Sequence, residues 1–122
     1  MPTLRPDELP HDVVLLIGDI GLAASPGRRE VIDLGRAWCE WQRLPFVFAV
    51  WLLRPGVDAG RILPVLRAAR DEGRRHGAVD GTRDAAHYEL DEQDRAGLQR
   101  FWAECRAHGL AEEEDPRFVS DW

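Results

Sequence analysis

The chain contains no lysine, and its sixteen basic residues are all arginine. Asp and Glu number twenty-two, which leaves a net charge of −6. An acidic chain holds nucleic acid poorly unless its cations cluster. The only dense basic stretch, RAARDEGRRH at 67–76, carries Asp71 and Glu72 within it, so it reads as a solvated helix face and no nucleic-acid partner is expected. Cysteine is scarce, with only Cys39 and Cys105, and both lie in amphipathic helical patterns. There is no Cys-x-x-Cys and no pair of His at ligand spacing, so no structural metal site is expected. Buried free thiols in a reducing cytoplasm are the expectation. Long apolar runs are also missing. The longest, at 44–53, is about half of what a bilayer requires, so no membrane association is expected. The opening MPTLRPDELPHD has no charged start followed by an apolar stretch, so no secretory leader is read there. There is no internal repeat and no low-complexity tract.

What is present is a composition for packing. The 122 residues are 44% hydrophobic and include five Trp, enough for one domain with a core and not for two. VVLLI at 13–17 is a short continuous apolar run stopped by Gly18-Asp19, the pattern of a strand covered on both faces. ASPGRR at 24–29 is a loop by composition. Asp33 can cap a helix running to about Arg43, with Leu34, Trp38 and Trp41 on one face. Leu44-Pro45 ends it. FVFAVWLL at 46–53 is rich in aromatic and β-branched residues and reads as a central strand. A helix is expected from near Arg61 or Ile62 to His76, which puts Pro64 in its first turn. Residues 77–86 look like loop. Asp91 can cap a last helix with Asp94 near its third position, an apolar stripe of Leu98, Phe101, Trp102 and Cys105, and Gly109 as the stop.

The order is strand, loop, helix, strand, helix, loop, helix, which is an α/β layout. The expectation is one domain over 1–122, with a strand–helix–strand core at 12–54 and C-terminal helices at 57–110. The sheet would be short and mostly parallel, flanked by helices. Two strands joined by a right-handed crossover are marginal alone, so either helices cover them on both sides or a second copy or a missing partner completes them.

Three segments carry a family resemblance. VVLLIGD at 13–19 and DLGRAWCEWQRLPFVFAVW at 33–51 resemble motifs of the chorismate dehydratases of the futalosine route to menaquinone. YELDEQDRAGLQRFWAE at 88–104 is similar to that family's closing helix. Gly18-Asp19 stands where the related dihydroxynaphthoate synthases tend to have His-Glu, which favours the dehydratase branch. The resemblance implies a two-lobed fold like periplasmic solute-binding proteins, of which this chain carries only the C-terminal half. It implies a cytoplasmic carbon–oxygen lyase that takes chorismate to 3-(1-carboxyvinyloxy)benzoate by loss of water, without a cofactor. Family members are more than twice as long, and the loops that hold much of the substrate lie in the part not represented here. Catalysis would then need the absent N-terminal half as a complementing fragment. The alternative is a non-catalytic small-ligand binder or a self-associating remnant of the fold.

Within that frame, Ile17, Gly18, Asp19 and Phe46 are the candidate substrate-binding residues, with Asp19 the candidate catalytic residue. A glycine at a strand exit admits close approach of a ligand, and strand ends line the crevice of open α/β folds. Asp19 would orient a hydroxyl or a water rather than act as base, because an ionised carboxylate repels a dicarboxylate. The substrate's own carboxylate could take the proton. The competing reading is a Gly-Asp turn that caps the next segment. Phe46 and Phe48 could line the cleft or pack the core, and Trp38 and Trp41 read as core anchors. Gly18-x-x-Gly21 is not a dinucleotide fingerprint.

Overall fold

The computed structural model describes residues 5–76, 88–112, 114 and 116–119. Among them the chain forms a 3₁₀ turn at Pro6–Glu8 and four helices: α1 (Gly18–Ala23), α2 (Leu34–Gln42), α3 (Ala59–His76) and α4 (Glu92–Ala107). It divides into two compact units, Met1–Ala37 and Trp38–Trp122. The expected loop at 77–86 lies outside the described residues.

No strand occurs among the described residues, which overturns the α/β expectation and, with it, the short parallel sheet of a partial two-lobed binding-protein-like fold. The two apolar segments at 13–17 and 46–53 form no ladder. The local preference is present, since Ile17 has extended dihedrals of φ −132° and ψ 144°. Strand composition expresses fit to a pleated, covered surface, and a strand without neighbours has neither hydrogen bonds nor cross-strand packing. Val13, Leu15, Ile17, Phe48, Trp51 and Leu52 are accordingly exposed, not buried on two faces.

The helices follow local rules. Asp33 caps α2, its Oδ1 accepting from Arg36 N–H at 2.9 Å. The helix stops where Arg43 adopts a left-handed φ of 58° ahead of Leu44-Pro45. α3 starts earlier than expected because Asp58 supplies a cap, its Oδ1 taking the Gly60 N–H at 2.9 Å. Pro64 therefore lies inside the helix and not in its first turn, leaving the Gly60 carbonyl without its usual i+4 donor. α4 has both of its expected ends. Asp91 and Asp94 form a reciprocal capping box, at 2.9 and 3.0 Å. At the other end Gly109, at φ 67°, donates to Arg106 O (2.9 Å), and Leu110 donates to Cys105 O (2.8 Å). That pair of bonds is a Schellman stop, which needs a left-handed residue and so favours glycine.

The second unit is organised around Trp38, which is 6% exposed. Its ring meets Trp41, Phe46 and Phe101 at centroid distances of 5.8, 6.0 and 5.5 Å. Its Nε1–H donates to Pro45 O at 3.0 Å. The same carbonyl reaches Gly97 of α4, where a Cβ would lie 2.3 Å from it. A buried glycine is therefore required for α4 to approach the 45 turn. Arg70 and Arg74 of α3 face Glu89 at 3.8 and 3.0 Å, and Arg75 pairs with Glu72. Trp102 Nε1–H donates to Glu114 O at 2.6 Å, and the Arg95 guanidinium lies 5.4 Å from the Phe118 ring centre.

Three packing expectations need correction. Trp41 and Phe48 are exposed, touching the cluster only edge-on, and Cys39 is an exposed free thiol. Of the two Trp on α2, only Trp38 is buried, against Phe46 and Phe101.

The first unit is held by a polar hub. Arg29 donates from Nε to Pro6 O (2.8 Å), from Nη1 to Asp12 O (2.8 Å) and from Nη2 to Leu9 O (3.0 Å). One planar guanidinium thereby gathers three carbonyls, of which Pro6 O also takes the Leu9 N–H of the 3₁₀ turn at 3.2 Å. Gly27, at φ 62°, lies against the Asp7 carboxylate, where a Cβ would come within 2.1 Å of Oδ2.

Candidate functional site

Ile17, Gly18 and Asp19 belong to the first unit, and Phe46 belongs to the second. Ile17 is the residue before α1, with an extended backbone and an exposed side chain. Gly18 opens α1 with φ 65°. Nothing lies within 4 Å of a Cβ built there, so the glycine is needed for its left-handed backbone and not to relieve crowding by protein atoms. The space over it is open to a ligand atom. Asp19 is exposed in the first turn of α1, where a carboxylate complements the exposed N–H groups of the helix start. Ile17 gives no side-chain cap to those groups.

Phe46 is half-buried in the aromatic cluster. Its ring centre is 4.9 Å from that of Phe48 and 5.5 Å from that of Phe101, both edge-on. That geometry fixes the Phe46 ring through its neighbours while Phe48 remains open to solvent.

Two residues that matter to this arrangement carried no obvious signal. Arg29 sits in a loop whose composition says only "loop", yet its three carbonyl bonds organise the backbone leading towards 13–19. Gly97 interrupts a helical pattern, and an isolated helical glycine is the one hint that something approaches closely. Among the described residues, no group of three or more His, Cys, Asp or Glu could hold a metal ion, and no helix is long and apolar enough to cross a membrane.

The chain matches a family described as menaquinone biosynthesis over residues 3–114. It is 33% identical to the chorismate dehydratase of Thermus thermophilus over an alignment of 125 residues, which covers 75% of this chain and 46% of that protein. The chain thus spans about half the length of the curated relative it matches. No solved structure matches it.

Proposed function

The chain belongs to the menaquinone biosynthesis family, and on that premise we propose that it is the C-terminal part of a chorismate dehydratase. The reaction is loss of water from chorismate to give 3-(1-carboxyvinyloxy)benzoate. A ring hydroxyl leaves with a ring proton and the ring becomes aromatic, so no oxidant, reductant or cofactor is required. The single observation that carries this reading is the 33% identity to a chorismate dehydratase across three quarters of the chain.

In this reading Ile17 and Gly18 of the first unit present the open backbone against which the substrate rests. Asp19 orients the departing hydroxyl or a water, and the substrate carboxylate takes the proton. The chain works in the cytoplasm, where a charged dicarboxylate is retained by the membrane. It requires the part of the family's length that it does not cover, because a cleft is made of two sides. The test is an absorbance assay with chorismate. The chain alone is expected to be inactive, and turnover by the chain alone would overturn the requirement. In the complemented protein, Asp19→Asn should lower turnover by about tenfold or more through lost orientation, and an unchanged rate removes Asp19 from the site.

A second reading is supported by the exposed apolar residues at 13–17 and 46–53. It is a non-catalytic small-ligand binder or self-associating remnant of the family. Binding of chorismate without turnover in the complemented protein, or a stable homo-oligomer, would favour it.

A further inference from the structure

Helix α4 uses two of its faces. Gly97 and Phe101, one turn apart, meet Pro45 O and the Trp38 ring. Arg95 and Trp102, two turns apart, lie on a different face, and both meet the C-terminal tail. Trp102 Nε1–H donates to Glu114 O at 2.6 Å, and the Arg95 guanidinium lies 5.4 Å from the Phe118 ring centre. The tail therefore runs back along α4 towards the start of the helix. Seven helix residues rise about 10.5 Å and four extended residues reach about 13 Å, so one stretch of tail spans both anchors. Pro116, Phe118 and Val119 are half-buried, while Glu114 and Arg117 are exposed and pair at 3.6 Å. The tail thus has a partly covered apolar side and a solvated charged side.

We propose that residues 114 and 116–119 form a latch on α4, with Arg95 as its release element. Two contacts close the latch. A guanidinium over a ring face is attractive, and the Trp102 indole has a carbonyl to donate to. One atom opposes closure: Arg95 Nε is buried and has no hydrogen-bond partner among the described residues. A ring face is a weak substitute for an oxygen acceptor, and a buried donor without a partner has given up the water it binds in the open state. Opening returns water to Nε, so the side chain that attracts Phe118 also favours its departure. A side chain serving only to hold a phenyl ring would be apolar throughout. Arginine makes the closure reversible, and the state of the latch decides whether the Arg95–Trp102 face of α4 is covered or presented to solvent. The latch is independent of the catalytic reading, since its residues all belong to the second unit and none is a candidate site residue.

The experiment follows exchange of the indole N–H protons with solvent by NMR in the full 122-residue chain. Trp102 reports closure, and the exposed Trp41 reports an open indole. Trp38, bonded to Pro45 O at 3.0 Å, reports an intact core. The Trp102 proton is expected to exchange about tenfold more slowly than that of Trp41. Phe118→Ala should bring it to within about twofold of Trp41. Arg95→Met should slow it by about a further threefold, because Met keeps an apolar contact with the ring and carries no buried donor. Trp38 should stay protected in both variants, with α4 retained by circular dichroism. A Trp102 proton as fast as that of Trp41 in the unaltered chain overturns the latch, as does Phe118→Ala with Trp102 exchange unchanged. Unchanged or faster Trp102 exchange in Arg95→Met, with Trp38 still protected, makes Arg95 a plain clamp and overturns its role in release. Loss of Trp38 protection in either variant makes the tail part of the core, which overturns the latch as well.

Discussion

The two units of this chain are held by different physics. In the first, one guanidinium binds three backbone carbonyls, and the apolar residues at 13–17 take no part in a core. In the second, rings from α2, α4 and the segment after α2 surround a nearly buried indole, and α4 is capped at both ends. Directional polar bonds can order a loop locally without removing much surface from water. Apolar packing is cooperative and rises with the area covered. The comparison teaches that a polar hub and an aromatic core can each order a unit while both leave apolar segments exposed, 13–17 in the first and 46–53 in the second.

The comparison is broken most severely at Trp38. Trp38→Ala removes the ring that four contacts share and should cost about 3–5 kcal/mol, seen as loss of cooperative thermal unfolding with the first unit's exchange pattern unchanged. Gly97→Ala comes next. Its new methyl meets Pro45 O, so the 45 turn or α4 must shift and the Trp38 bond to that carbonyl is disturbed. A loss of about 3 kcal/mol is expected by denaturant titration. Arg29→Ala acts on the other unit. It should cost about 2 kcal/mol there and expose 5–32 to proteolysis, without lowering the stability of the second unit. Arg29→Lys should fail to rescue it, because one ammonium cannot span three separate carbonyls. The smallest effect sharpens the role of local caps: Asp91→Ala should destabilise α4 by about 1 kcal/mol in thermal melts.

Legibility in the sequence tracked the range of the interaction. The α4 capping box, the Gly109 stop and the Asp33 cap are each written within five residues, and each was readable. α3 starts ahead of the expected Arg61 or Ile62 because the Asp58 cap, three residues before Arg61, prevails over the preference of Pro64 for a first turn. The candidate residues Ile17, Gly18, Asp19 and Phe46 came from motif and resemblance. The structure adds the left-handed backbone at Gly18 and the aromatic seat of Phe46. The roles of Arg29 and Gly97 are not legible in the sequence, because their partners lie far along the chain and are backbone atoms with no residue-type signature.

By itself the sequence determined the family, through motifs at 13–19, 33–51 and 88–104, and it determined where three of the helices would run. Periodicity, caps and stops are local, so the chain carries them wherever it goes. Whether an apolar extended segment becomes a strand was decided only in three dimensions. A strand exists through its neighbours, and among the described residues neither 13–17 nor 46–53 has one.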